Sequence, residues 1–371
     1  MPRVERLAAN KGESEAAVAA AVEQVAELVK TARRPLITGL VGLGVEDCRA
    51  VLDFAQRRGI AVAPHVSPLV AAVAAAETEV GAAECSFGEI LTRADVVAFL
   101  HVDPATSHPR LGERLLGPRP DFQRQVWMFG EEPPPASKAS SNGAEKSVRF
   151  MPIPPGGSYA WLTALRATLR GVGHALDGSL EDGLADFATA LKRRRYGVLF
   201  FGLPPEADSA SYAARWVEQL FRLIHELDTG PPMRALPLVA NERLGAAAEV
   251  VGWRYGPDGA ALRGPVLRAT QRSAALAEAD LIIHCGRWTV PMETVSGGRA
   301  APLVYLGPQA DVANAAEPAL HFDCAQAGVD AGDTVFRGDG VALAAKPLLP
   351  TGRRPTLRDA LAAVEQAARQ D

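Results

Sequence analysis

Apolar residues recur along this chain at two different periods. Val18, Val22, Val25 and Val29 stand at i, i+4, i+7 and i+11, one face of a helix that begins near Ser14. Pro35 closes the polar turn Thr31-Ala32-Arg33-Arg34, and Leu36-Ile37-Thr38 reads as a short buried strand. Gly39 to Gly44 is a glycine-rich turn, Val45 to Arg58 is helical, and Ile60-Ala61-Val62 is a second strand. Strand, helix and strand in that order predict a parallel pair.

A related pattern returns twice. Phe87 to Arg93 is a short helix, followed by Ala94-Asp95 and the apolar strand Val96 to Val102. Ser273 to Glu278 is a short helix, followed by Ala279-Asp280 and the strand Leu281 to His284. Continuously apolar strands are covered on both faces, as in parallel sheets between helix layers. Tyr196 to Phe201, Met233 to Val239 and Leu303 to Leu306 add three strands, and a helix over Ser209 to Leu227 follows the first of them. Glu131 to Ser147 is almost without apolar residues and reads as a flexible surface loop. After Asp323 the text changes. Asp333 to Phe336 and Val341 to Ala345 suggest a hairpin turning at Gly338-Asp339-Gly340, and Thr356 to Ala368 is a closing helix.

Composition narrows the function. The length, 371 residues, suggests about two domains with cores large enough to need no metal or disulfide staple. There are 39 basic and 43 acidic side chains, a net charge of -4, and aromatics make up 6%. That balance argues against a general nucleic-acid binder or a base-stacking platform. Cys48, Cys85, Cys285 and Cys324 form no C-x-x-C pair, so zinc and iron–sulfur spacings are missing and reduced cytoplasmic thiols are expected. Met1 to Lys11 has no apolar core of a signal peptide. The longest uncharged apolar run, Ile60 to Ala76, is broken by Pro64, His65 and Pro68 and is short for a membrane span. The expected location is the cytoplasm.

Few motifs carry chemistry. Gly39-Leu40-Val41-Gly42-Leu43-Gly44 lies where a phosphate loop belongs. Its G-x-x-G-x-G spacing reverses the dinucleotide fingerprint, and no acidic residue follows the second strand; a tight turn needing glycine is the other reading. Ser107-His108-Pro109-Arg110 follows a strand end, so His108 could act as a base and Arg110 could hold an anion. The other reading is a structural histidine at a helix start with a surface arginine. His284-Cys285 occupies the equivalent strand end, but neighbours in a strand point to opposite faces, which favours a buried inert cysteine. Arg193-Arg194-Arg195 reads as a solvated helix end, and Asn241 as a helix cap before Glu242-Arg243. No metal-binding histidine spacing, hydrolase elbow or P-loop is present.

Phe87-Gly88-Glu89-Ile90, Arg93-Ala94-Asp95-Val96-Val97, Asp103-Pro104 and Ser107-His108-Pro109-Arg110 resemble the B subunit of formylmethanofuran dehydrogenase, of the molybdopterin oxidoreductase superfamily. The resemblance continues at Asn241, Gly252 to Pro257, Ala279 to Ile282, Gly328-Val329-Asp330 and Phe336 to Val341, and covers about residue 33 to 371. It implies an α/β fold of two Rossmann-like parallel-sheet domains. The domains expected are an N-terminal helix over 1–31, a discontinuous domain over 32–66 and 195–325, an inserted domain over 67–194, and a C-terminal hairpin and helix over 326–371.

The departures from that family are specific. Catalytic members begin with a cysteine cluster for an iron–sulfur centre, whereas this chain has no cysteine before Cys48. They also ligate tungsten or molybdenum through a cysteine or selenocysteine, where this chain reads Ala63-Pro64-His65-Val66-Ser67-Pro68. The sequence is therefore most similar to the cofactor-less B subunit of the bacterial formyltransferase/hydrolase complex. That complex passes a formyl group from tetrahydromethanopterin to a methanofuran-type carrier and releases formate, in formaldehyde oxidation. The resemblance implies a scaffold whose partners are an amidohydrolase-like A subunit, a C subunit and a formyltransferase D subunit. It implies no catalytic residue, pterin, metal or iron–sulfur cluster on this chain, and no nucleic-acid or membrane partner. Ser67, His108, Arg110 and Asn241 are then remnants of an old crevice. Two alternatives stay open: an active pterin-dependent dehydrogenase, or a binding module that reuses the crevice.

Overall fold

The computed structural model describes residues 15–117, 122–133, 148–173, 178–239, 246–256, 264–288, 301–308, 320–349 and 354–369. In chain order the elements begin with α1 (Glu15–Thr31), β1 (Pro35–Gly39), α2 (Val45–Arg58), β2 (Ala61–Pro64), α3 (Pro68–Val80), α4 (Phe87–Arg93), β3 (Val96–Leu100), α5 (Pro104–Ser107) and α6 (Leu111–Leu115). There follow β4 (Gln125–Gly130), β5 (Val148–Pro152), α7 (Ser158–Arg170), α8 (Gly178–Arg193), β6 (Gly197–Phe201), α9 (Ala210–Leu227), β7 (Met233–Pro237), α10 (Ala247–Tyr255) and α11 (Ala269–Glu278). The chain closes with β8 (Leu281–Cys285), β9 (Leu303–Gly307), β10 (Leu320–Asp323), β11 (Asp333–Phe336), β12 (Ala342–Ala345) and α12 (Leu357–Ala367).

These elements form two compact α/β units. The first has a parallel sheet in the order β10-β9-β8-β1-β2, with the antiparallel hairpin β11-β12 beside it. The second has a parallel sheet in the order β5-β4-β3-β6-β7. Counted within each unit, the first order is flavodoxin-like and the second is that of a dinucleotide-binding fold. The order reverses between β1 and β8 in the first unit and between β3 and β6 in the second. Those are the places where such sheets open a crevice at their carboxyl ends.

Both faces of each sheet are covered, as the uninterrupted apolar strands predict. In the first unit Ile37, Val62, Ile283 and Val304 pack under α1, α2, α10 and α12, while Leu36, Ala63, Ile282 and Leu303 fill the other face. In the second, Val96, Ala98, Phe129 and Phe201 join a core with α3, α7, α8 and α9, and Val97, Phe99, Met128 and Phe200 face the other way. Helix limits follow local rules. Gly59, at φ 66, ends α2 in the left-handed conformation that glycine adopts without strain. Ser86 and Glu89 make a reciprocal capping box at α4, and Thr356 and Asp359 do so at α12.

The repeated Ala-Asp step has a physical cause. Asp280, just before β8, accepts the amides of Arg33 at 2.8 Å and Arg34 at 2.9 Å, just before β1. Asp95, before β3, accepts the amides of Arg195 and Tyr196, before β6, both at 2.9 Å. In each unit one carboxylate clamps the starts of the two strands that flank the reversal of order. Burial raises the Asp280 carboxyl, but its backbone hydrogen bonds overcome this and hold it below the usual carboxylate range.

Three expectations are corrected. The second unit runs through 67–240 rather than 67–194, because β6 pairs with β3 and β7 with β6; residues 195–240 therefore leave the first domain. The segment 326–371 is not separate: apart from 338–340 it belongs to the first unit, where Leu357, Leu361 and Val364 of α12 enter the core. Arg194 is not solvated. It is 5% exposed, and its guanidinium donates to the carbonyls of Leu191, Leu227, Pro231 and Pro232. Residues 134–147 of the expected surface loop lie outside the described residues.

Candidate functional site

The first unit's crevice is framed by the turn after β1 and the turn after β8. Gly39 has φ 91, and a Cβ there would stand 2.5 Å from the Cys285 carbonyl. This supports the reading of a tight turn that requires glycine. Leu40, a non-glycine at φ 68, donates its amide to that carbonyl at 2.6 Å. Arg287 donates its amide to Val41 at 2.8 Å, so backbone bonds lace the two turns together. Below them His284 is 1% exposed, with Nδ1 against the Thr38 hydroxyl at 3.1 Å and its ring against Trp288 and Tyr305. Burial pushes the Cys285 thiol well above its ordinary range, as expected of an inert cysteine. Asp47 in α2 is 3% exposed, and burial pushes its carboxyl up to about 6, against the pull of Arg358 and with the repulsion of Asp333.

The second unit's crevice lies between the ends of β3 and β6. His101 follows β3 at φ 53, a left-handed conformation rare for a residue with a Cβ. It stands in the same place relative to its sheet as Leu40 in the first unit. Its Nε2 is buried without a hydrogen-bond partner, and burial pushes it down to about 4, partly offset by the charge of Glu206. Glu206, after β6, accepts the Ser158 amide at 3.1 Å through Oε1, while Oε2 is buried without a partner. Burial raises its carboxyl, but hydrogen bonds from Ser158 hold it below the usual range. At neutral pH the His101 imidazole is neutral and within reach of the Glu206 charge, and it can accept a proton.

Ser67 and Arg110 are engaged locally, whereas the ring Nδ1 of His108 is buried without a hydrogen-bond partner. Ser67 is the N-cap of α3, its hydroxyl accepting the Val70 amide at 3.3 Å. His108 ends α5 through its own amide, which donates to Pro104 at 2.8 Å, and its half-buried ring is pushed down by burial. Arg110 is exposed and pairs with Glu113 at 3.4 Å. Asn241 lies outside the described residues. Sequence reasoning missed His101, Glu206, Asp47 and Asp333; the first two lie past strand ends and Asp47 at a helix start, but nothing local marks Asp333. Among the described residues no group of three His, Cys, Asp or Glu side chains is placed to hold a metal ion. No described helix is long and apolar enough to cross a membrane.

The fold and site together define a protein of two α/β units, each built on a parallel sheet with a crevice at the carboxyl ends of its strands. No known protein-family profile matches the chain. Among curated proteins it is 23% identical over 357 residues to the B subunit of the tungsten-containing formylmethanofuran dehydrogenase 2 of Methanocaldococcus jannaschii, covering 90% of this chain and 80% of that protein. The protein of the same name from Methanococcus maripaludis is 22% identical over 343 residues, 86% of this chain and 76% of that one. The B subunit of the formyltransferase/hydrolase complex Fhc from Methylorubrum extorquens is 29% identical over 248 residues, 64% of this chain and 61% of that protein. A chain of the crystal structure of that organism's formyltransferase/hydrolase complex FhcABCD with methylofuran matches at a TM-score of 0.72 and 22% identity, over 97% of both chains. The chain is thus a homologue of the B subunits of formylmethanofuran dehydrogenase and of Fhc, and it shares the fold of a chain in the latter complex.

Two of these relatives are named for tungsten, a centre to which this chain could offer cysteine thiolates. The donors here do not fit one. All four cysteines are buried, and burial pushes each thiol up, that of Cys85 to about 12. The segment 63–68 contains no cysteine, and the hydroxyl of Ser67 is used to cap a helix.

Proposed function

We propose that this chain is the B subunit of a formyltransferase/hydrolase complex and has no catalytic centre of its own. In that complex formyl-tetrahydromethanopterin would give formate by way of a methanofuran-type carrier. An amidohydrolase-like A subunit, a C subunit and a formyltransferase D subunit would be its partners. The old molybdopterin-oxidoreductase architecture serves assembly here, without pterin, tungsten, molybdenum or an iron–sulfur cluster. Ser67, His108, Arg110 and Asn241 carry no chemistry in this reading. What supports it is the segment 63–68, which resembles the metal-ligating stretch of the redox relatives but holds no cysteine, and whose Ser67 is the N-cap of α3.

The competing reading is an active dehydrogenase, favoured by the tungsten named in the two relatives that match over the greater share of the chain. Replacing Ser67 by alanine separates the two. A cap is worth about 1 kcal/mol of stability and leaves formyl hydrolysis by the assembled complex unchanged. Loss of a formate-dependent dye reduction in the variant would instead establish redox chemistry.

A further inference from the structure

We infer that the C-terminal hairpin β11–β12 is a plug that closes the ligand crevice of the first unit from within the chain. In α/β units of this strand order, a ligand's anionic group sits on the amides at the start of the helix that follows the first strand. Here that helix is α2, and its N-cap, Gly44, offers no side chain to satisfy them. A carboxylate takes the place. Asp333, at the start of β11, accepts the amides of Glu46 at 3.2 Å through Oδ1 and of Asp47 at 3.4 Å through Oδ2. Its side chain is 1% exposed. Gly44 is required by this contact, since a Cβ there would come within 2.2 Å of the Asp333 carboxyl carbon.

The surroundings hold the plug in place. Arg358, in the first turn of α12, reaches Asp47 at 3.8 Å and Asp333 at 3.9 Å, and its amide donates to Asp47 at 3.4 Å. The turns above are laced together by the backbone bonds of Leu40 and Arg287. Among the described residues, the void left between Gly42, Asp47, Gly286, Leu306 and Cys324 is about 10 Å³, no more than one water molecule needs. At the start of α2, among the described residues, a phosphate or carboxylate ligand would therefore have to displace the Asp333 carboxylate. The plug stands on this unit's own contacts, so it holds or fails separately from the partner assignment.

Hydrogen exchange by mass spectrometry tests this in the full chain, in whatever assembly it is purified, because peptides over residues 44–52 and 333–345 are read directly. In the wild type the first turn of α2 should be protected, and millimolar inorganic phosphate should change nothing. In Asp333→Ala those amides should exchange roughly tenfold faster, the effect of a lost cap, and phosphate should restore their protection. Asp333→Asn keeps an acceptor without the charge and should fall between, which preserves the test if the alanine variant does not fold. Added protection of the wild type by phosphate would overturn the inference. So would first-turn amides in Asp333→Ala that are as slow as wild type, or fast ones that phosphate fails to slow.

Discussion

Asp47 carries a cost that appears only above acidic pH. Its carboxyl is raised from the ordinary 3.8 to about 6, because burial disfavours the charge and, with the repulsion of Asp333, outweighs the attraction of Arg358. A carboxyl raised in the folded state binds more protons folded than unfolded, so stability falls as pH rises from about 4 to about 6. The full loss above that range is ~3 kcal/mol, at about 1.36 kcal/mol per tenfold change. Asp47→Asn keeps the shape and an acceptor for the Arg358 amide but never ionises. The variant should match wild type near pH 4 and exceed it by up to ~3 kcal/mol at pH 7. The difference is to be read from denaturant unfolding at several pH values, with amide exchange in α2 as a local check. Subtracting wild type from variant removes the opposite trends of carboxyls held low, such as Glu206 and Glu365. A difference that stays flat with pH, or a variant whose advantage is smaller at pH 7 than at pH 4, would refute the reasoning.

Other perturbations test the fold that holds the crevices. Arg194→Lys replaces a fork that serves four carbonyls with a point charge, and should cost about 2–4 kcal/mol; an unfolding midpoint within error of wild type would contradict the buried role. Asp280→Ala removes two amide bonds at an exposed site and should cost about 1–2 kcal/mol. Because this carboxyl is held low, the difference should be present above about pH 4 and vanish as pH falls through its folded value. Gly39→Ala at φ 91, with the Cys285 carbonyl in the way, should destabilise by about 2 kcal/mol or more; a neutral result in thermal unfolding would mean that the turn can rearrange.

The strands next to each reversal of sheet order were legible because they are largely apolar, and β3 and β8 are each preceded by the same Ala-Asp step. Strands β4 and β5 were not, since Gln125–Gly130 and Val148–Pro152 flank the polar loop and β5 is largely exposed. Alanine-rich α3 carried no polar face by which to recognise a helix, and its small residues pack on α9. The unit boundary near 240 was decided by the long-range pairing of β6 with β3 and of β7 with β6, which local sequence does not reveal. Arg194 read as solvated because its three-arginine context hides the carbonyls that fold around it. The cap from Asp333 to α2 spans 287 residues, and nothing in local sequence announces such a contact. The capping role of Ser67 emerges only from the geometry of α3.

The central claim is that this chain assembles with partners and holds no redox centre. Tagging it in its own organism, purifying it gently and recording native mass spectra with metal analysis tests that claim most directly. Three dissimilar partner proteins are expected, with no pterin mass and no stoichiometric tungsten or molybdenum on this chain. Recovery of the chain alone, carrying a pterin-sized adduct and metal, would contradict it.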